Sequence, residues 1–114
     1  MSKRSVKLLV EDMLEATGKI ERYILGLSRE DFMGDEKSID AVVRNLEIIG
    51  EAASRLPSEF KAAHPEIEWA KIAGLRHRVV HEYFGVDLDL VWEILEHDLP
   101  PFKRDLQACL PAEM

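Results

Sequence analysis

The sequence predicts an all-α protein, folded as an antiparallel four-helix bundle in a single domain over residues 1–114. Apolar residues recur at spacings of three and four through most of the chain, and no segment alternates apolar and polar residues with period two. Glycine and proline separate the periodic stretches by short links, as between neighbouring antiparallel helices. With 46% apolar residues, 114 residues suffice for one core and are too few for two.

The first two helices are predicted from long apolar stripes. The first runs roughly over 4–26 and leads into a loop over 26–34, and the second begins at Asp35 or Ser38 and ends before Pro57. The second helix also has an additional edge of small and apolar residues, formed by Ala41, Asn45, Ile48 and Ala52. That edge indicates a second neighbour, either a helix of the same chain or one of a second chain.

The last two helices are predicted with more interruptions. After a turn region over 57–67, a third helix is expected roughly over 68–83, with Gly85 ending it. Asp87 is a good N-cap for a fourth helix, whose apolar stripe continues to the C-terminus. The Pro100–Pro101 pair should bend or break this helix, so the predicted fold has a bent C-terminal helix.

The composition of the chain limits the classes of function that the protein can have. The net charge of −7 argues against a protein that coats nucleic acid nonspecifically, although residues 61–81 hold four bases, two acids and three of the four histidines. No apolar run approaches the roughly 20 residues that span a bilayer, and the N-terminus does not resemble a signal peptide. A lone cysteine, Cys109, suits a reducing compartment and has no evident activator. We therefore expect a cytoplasmic protein that does not associate with membranes.

The segment from Arg76 to Tyr83 concentrates chemically versatile side chains, with two arginines, two histidines and a tyrosine. If the third helix continues to residue 83, Arg76 and Tyr83 lie about 20° apart on one face, whereas His81 lies about 140° from Arg76. On a single helix, the side chains of Arg76 and His81 would therefore not converge easily on one point. Two such helices related by a two-fold axis could bring these side chains together, which predicts a site at a dimer interface.

Histidine and arginine together suit metal-independent cleavage of RNA. A histidine base removes the proton of a 2′-hydroxyl, which attacks the adjacent phosphate while arginine offsets the developing charge. Other interpretations remain open at this point. His77 and His81 are spaced as metal ligands, although no further ligand is convincingly spaced, and His81 or Tyr83 could equally be packed structural residues. No metal and no cofactor is predicted.

Several ordered segments resemble the HepT-like family of HEPN-domain toxins. Arg76, four residues, His81, one residue and Tyr83 match the family's Arg-x4-6-His-x-Tyr motif. Further matches are Asp35–Lys37, Arg44–Ala52, Ile72–Arg76, Tyr83–Asp87, Val91–Trp92 and Asp98–Pro100, so the similarity spans roughly 5–108.

The resemblance implies a HEPN-type helical bundle that dimerises with its motif helices facing across a cleft. It also implies a metal-independent endoribonuclease toxin acting on tRNA or mRNA, with Arg76 and His81 as catalytic residues. Its partner would be a minimal nucleotidyltransferase antitoxin of the MntA type, in a type VII toxin–antitoxin module, that neutralises the toxin by AMPylation of Tyr83. His77 occupies the family's polar position after the arginine, and Arg44 and His77 are candidate cleft-lining residues. The alternative is a noncatalytic HEPN module that binds a nucleotide or a nucleotidyltransferase.

Overall fold

The computed structural model describes residues 4–81 and 85–110. Over these residues, the regular structure is almost entirely helical, as predicted. The elements in chain order are α1 (Val6–Ile24), α2 (Arg29–Met33), α3 (Glu36–Ser54), α4 (Ser58–Ala63), α5 (Trp69–Ala73), α6 (Leu75–Val79), β1 (Val80–His81), β2 (Gly85–Val86), α7 (Leu88–Glu93), a π-helical turn (Ile94–Asp98) and α8 (Leu99–Ala108).

The two long N-terminal helices begin at side-chain caps. Ser5 accepts a hydrogen bond from the N–H of Leu8, and Asp35 accepts one from the N–H of Ser38. Of the two predicted caps of α3, Asp35 is therefore the N-cap. The hydroxyl of Ser38 also donates to Asp35 at 2.7 Å, and these two bonds hold the pKa of Asp35 below its usual value.

The core is built mainly where α1 packs along α3, with α8 also contacting α1 and with α5 and α6 contacting α3. The stripes predicted for α1 and α3 are confirmed as core, because most of their members are buried. These are Leu9, Val10, Met13, Thr17, Ile20, Val42, Val43, Leu46, Ile49, Ala53 and Leu56. The polar member Thr17 is satisfied because its hydroxyl donates to the carbonyl of Met13 at 2.8 Å.

The predicted loop over 26–34 contains the short helix α2. Ser28 and Asp31 form a capping box at its start, in which each side chain accepts a hydrogen bond from the other residue's backbone N–H. Phe32 in α2 is fully buried and its ring centroid lies 5.3 Å from that of Trp92. This segment, predicted to be a loop, therefore contributes a helix and a core residue.

The predicted third helix over 68–83 is wrong at Gly74, Val80 and His81, and its last positions, 82–83, lie outside the described residues. Gly74 separates α5 from α6, and Val80 has extended torsion angles of φ −108° and ψ 117°. Val80 and His81 then pair antiparallel with Val86 and Gly85 in a two-residue ladder. Two consecutive valines favour this change because β-branched side chains fit extended backbone better than helix. Gly85 does not end the helix but lies in the ladder with a φ of +75°.

The helix after Asp87 is not broken by its prolines. Asp87 caps α7 as predicted, by accepting a hydrogen bond from the N–H of Leu90. The π-helical turn follows, in which the N–H of Leu99 donates to the carbonyl of Ile94, and α8 then carries Pro100 and Pro101 in its first turn. Prolines are tolerated there because first-turn N–H groups need no partner within their own helix.

Gly50 lets α3 approach the segment that leads to Arg76. A Cβ at this position would lie 3.2 Å from the carbonyl oxygen of Ile72 and 3.3 Å from that of Ala73, both backbone atoms of α5. Backbone atoms cannot rotate away as a side chain can. The absence of a side chain at Gly50 therefore fixes how closely α5, and α6 after it, pack on α3.

Gly50→Ala should destabilise the fold by about 1–3 kcal/mol, because the added methyl group overpacks this contact. Gly18→Ala is the matched control. It lies inside α1, where a Cβ would make an ordinary 3.6 Å contact with Arg22, so alanine should stabilise that helix by about 0.5–1 kcal/mol. Urea unfolding of both variants measures the two effects. Equal effects of the two substitutions would contradict the role given to Gly50.

None of the helices over 4–81 and 85–110 combines the length and the apolar character needed to cross a membrane.

Candidate functional site

One face of α3 carries a stripe of charged side chains. Arg44, Glu47, Glu51 and Arg55 follow one another at spacings of three, four and four residues, so they lie in a row along the helix. The opposite face of α3 is buried in the core. Packing of that face therefore directs the charged row outward.

This charged row forms one wall of a cleft of about 560 Å³. The N-terminal part of the chain and α1 contribute Arg4, Leu9 and Asp12, and the far wall is formed by Ala73, Arg76 and His77. The structure thus places Arg76 and both candidate cleft-lining residues, Arg44 and His77, around one depression.

Three ion pairs cross or line the cleft. Arg4 binds Asp12 through two hydrogen bonds, one of them of 2.8 Å from Nη2 to Oδ1, which raises the pKa of Arg4 and lowers that of Asp12. The Arg55 Nη2 atom lies 3.0 Å from Glu51 Oε1.

The third pair joins Arg76 Nε to Glu47 Oε2 at 3.4 Å, with side chains 60% and 42% exposed. An exposed pair of this kind stabilises a protein by only about 0–1 kcal/mol. Arg76 can therefore exchange Glu47 for another anion at little cost.

The cleft is more basic than the protein as a whole. Four arginines line it against three acids, namely Asp12, Glu47 and Glu51, whereas the whole chain has a net charge of −7. Among the described residues, Arg44 has no carboxylate within 4 Å. Guanidinium groups bind phosphate through paired hydrogen bonds, so the cleft suits a phosphorylated ligand.

Arg78 has a different role from Arg76. Its Nη2 atom lies 3.4 Å from Oδ2 of Asp98 in the π-helical turn, and Lys71 Nζ lies 4.0 Å from the same oxygen. Asp98 thereby joins α5 and α6 to the C-terminal helical region. Of the four bases in residues 61–81, Arg76 therefore lines the cleft, whereas Lys71 and Arg78 make a structural contact.

The other residues of the predicted site are placed only in part. His81 follows α6 in β1, where its backbone pairs with Gly85, while its side chain and Tyr83 lie outside what the structure describes. Because α6 ends at Val79, the angles of 20° and 140° measured along a continuing helix do not apply. Those angles therefore give no reason for Arg76 and His81 to come from two chains.

Several cleft residues were missed in the sequence analysis. Glu47, Glu51 and Arg55 could have been found, since they continue the helical row that begins at Arg44. Arg4 and Asp12 come from a distant part of the chain, and no local pattern connects them to α3.

The fold and the cleft define a class of protein: a small helical protein with an arginine-lined cleft whose side chains suit a phosphorylated ligand. Its sequence matches the family model described as "Ribonuclease HepT-like" over residues 13–109. The chain belongs to the HepT-like family of HEPN ribonucleases, and the family resemblance noted from its motifs is confirmed.

Relatives with similar sequences carry ribonuclease names. The chain is 45% identical to "Probable ribonuclease HepT" of Thermococcus cleftensis, over 89% of this chain and 92% of that protein. It is 43% identical to "Putative RNase TTE0752" of Caldanaerobacter subterraneus subsp. tengcongensis, over 91% and 93% of the two chains. It is 35% identical to "Putative RNase MJ1380" of Methanocaldococcus jannaschii, over 94% and 98%. No solved structure matches the chain.

Proposed function

We propose that this protein is a metal-independent endoribonuclease, the toxin of a toxin–antitoxin module. The observation that carries the proposal is the position of Arg76, at the wall of a basic cleft and in an exposed pair with Glu47 that an RNA phosphate can replace. The ribonuclease names of its relatives support the same activity.

In the proposed reaction, Arg76 binds the scissile phosphate and His81 acts as general base. His81 removes the proton of the 2′-hydroxyl, the 2′-oxygen attacks phosphorus, and the bond to the 5′-oxygen breaks as that oxygen gains a proton. The products are a 2′,3′-cyclic phosphate, or the 3′-phosphate formed from it, and a 5′-hydroxyl end. Arg44, which also lines the cleft, would bind a neighbouring phosphate of tRNA or mRNA.

The test is cleavage of RNA by the purified protein in EDTA, with the ends of the products mapped. Cleavage that leaves 2′,3′-cyclic or 3′-phosphate ends supports the proposal. Complete loss of cleavage in EDTA, at a temperature well below the unfolding midpoint, overturns the metal-independent mechanism.

We also propose that the protein acts as a homodimer through the face between α1 and α3. Asn45 and Ala52 of the second edge of α3 are already buried within this chain, whereas Ile48 is only partly covered. Ile48 and the 39% exposed Tyr23 line a shallow groove that continues to Arg44. A second chain on this groove would bring its own cleft near the first.

Light scattering at micromolar concentration should therefore give twice the chain mass of 13.0 kDa. Tyr23→Arg should shift the mass toward one chain, because it places a desolvated charge in the groove. Leu25→Arg is the control, since Leu25 is 83% exposed and does not line the groove. A single-chain mass for the unmodified protein would contradict the dimer.

The proposed partner is a minimal nucleotidyltransferase that neutralises the toxin by AMPylation of Tyr83. Tyr83 lies between the paired residues His81 and Gly85 in the sequence, two positions after the proposed base. An AMP group on Tyr83 would therefore be attached two residues from the proposed base.

A noncatalytic module that binds a nucleotide or a nucleotidyltransferase is the second candidate. The net charge of −7 favours it, because an acidic protein opposes strong RNA binding. RNA cleavage that disappears in His81→Ala separates the two functions, since a binding module has no cleavage to lose.

A further inference from the structure

Three potential metal ligands meet away from the cleft. His64 and Glu66 lie in the link between α4 and α5, and Cys109 follows the last residue of α8. One ligand atom from each residue lies within 4.8 Å of the other two. None of the three residues lines the cleft that contains Arg76.

The spacing is close to that of a tetrahedral zinc site. Zinc bonds of about 2.0–2.3 Å to nitrogen, oxygen and sulfur place neighbouring tetrahedral ligands roughly 3.4–3.7 Å apart. His64 Nδ1 lies 3.6 Å from Glu66 Oε2. The longest separation in the group is at most 4.8 Å, so a contraction of about 1 Å, of the kind side-chain rotation allows, would complete the geometry.

The donor set and its surroundings suit the same ion. Imidazole nitrogen, thiolate sulfur and carboxylate oxygen are the three ligand types that zinc accepts. Cys109 is 4% exposed, while the side chain of Glu66 is 46% exposed, so an ion can enter from solvent and reach the thiol. A fourth position would remain for water.

The backbone holds His64 in place. Its carbonyl accepts hydrogen bonds from the indole Nε1 of Trp69 at 3.0 Å and from the N–H of Ile67 at 3.3 Å. Its ring packs against Phe60, with centroids 4.6 Å apart. A ligand fixed in this way loses little conformational freedom on binding a metal.

The Sγ atom of Cys109 lies within 4.8 Å of the ligand atoms of His64 and Glu66. Its Sγ lies 3.2 Å from the carbonyl oxygen of Asp105, to which the thiol donates. A bound cation would replace the thiol proton, which leaves to solvent, and would offset the neighbouring carboxylates.

We propose that His64, Glu66 and Cys109 form a zinc-binding site that joins the α4–α5 link to the C-terminal end of α8. The site is structural and separate from RNA cleavage. Failure of the zinc proposal would therefore not contradict the proposed ribonuclease activity, and failure of that activity would not contradict the zinc site.

The first experiment titrates the untagged, reduced protein with Zn²⁺ by calorimetry and with Co²⁺ by absorption. We expect one ion per chain and a thiolate-to-cobalt charge-transfer band, which needs no variant and so does not depend on how the variants fold. At a hundredfold excess over the dissociation constant, Zn²⁺ should raise the unfolding midpoint by roughly 10 °C.

The second experiment compares variants. Cys109→Ser, His64→Gln and Glu66→Gln should each weaken zinc binding by about 10²-fold or more. His97→Gln is the matched control, because His97 is an exposed histidine of the π-helical turn, and it should bind zinc as the unmodified protein does. Absence of the charge-transfer band, or equal loss of binding in His97→Gln, overturns the proposal and leaves the His64–Glu66 contact as an ion pair only.

Discussion

We expect His81→Ala and Arg76→Ala each to lower the rate of RNA cleavage by about 10²-fold or more. Without His81, the 2′-hydroxyl has no base to remove its proton. Without Arg76, the charge that develops on the phosphate is no longer offset at the cleft wall. The fold should survive the loss of Arg76, because its pair with Glu47 is exposed and contributes little to stability.

Two further variants define what Arg76 does. Arg76→Lys keeps the charge but loses the paired hydrogen bonds of the guanidinium, so its activity should lie between those of the unmodified protein and Arg76→Ala. Arg104→Ala removes one positive charge from an exposed position of α8 outside the cleft and is the matched control. Full activity of His81→Ala, or an equal loss in Arg104→Ala, would contradict the proposed roles.

AMPylation of Tyr83 should abolish RNA cleavage without unfolding the protein. The attached group brings a phosphodiester two residues from His81 in the sequence, and we expect it to compete with RNA for the arginines of the cleft. It resembles the RNA backbone in charge and hydrogen-bonding shape, and tethering raises its effective concentration to roughly the millimolar range. Coexpression with a minimal nucleotidyltransferase of the proposed kind, followed by mass spectrometry and an RNA cleavage assay, measures the effect.

The chain provides its own control for this experiment, because it has two tyrosines, Tyr23 and Tyr83. Tyr83→Phe should remain unmodified and, where it retains cleavage activity, should escape neutralisation. Tyr23→Phe should be modified and silenced like the unmodified protein. AMP on another peptide, or normal cleavage by the modified protein, would contradict this account of Tyr83.

The long helices could be predicted from the sequence because each holds several turns of its apolar stripe. Over 19 residues in both α1 and α3, a period of 3.6 is easily distinguished from chance. The five-residue helix α2 is shorter than two turns, so Phe32 carried no periodic signal. Its burial against Trp92 depends on a contact between distant parts of the chain.

The third helix shows a second reason why helix ends cannot be predicted from periodicity alone. Apolar residues continue at suitable spacings through Val79 and Val80, so periodicity alone extends the helix. The actual end depends on pairing of Val80 with Val86, which competes with helix extension and is not encoded in the helical pattern. Motif similarity located Arg76 and His77 despite this error, because it does not depend on where the helix ends.

Residues of the candidate site could be predicted from the sequence pattern only where they lie on the same helix. Arg44 is the first residue of the charged row of α3, which follows a helical spacing. The position of this row beside residues of α1 and α6 depends on how the helices pack. The close approach at Gly50 depends on carbonyl groups of α5, which no pattern around Gly50 reveals. His64, Glu66 and Cys109 belong to separate segments that meet only in the fold.

The contact of Asp98 with Arg78 and Lys71 affects when the segment that carries Arg76 gains its support during protein synthesis. A five-residue helix such as α6 is not stable alone in water, so the segment carrying Arg76 depends on tertiary support. Part of that support comes from Asp98, which follows Arg76 in the chain and leaves the ribosome after it. A nascent chain that stops before Asp98 lacks this contact, so the segment that carries Arg76 gains this part of its support only after Asp98 has been made.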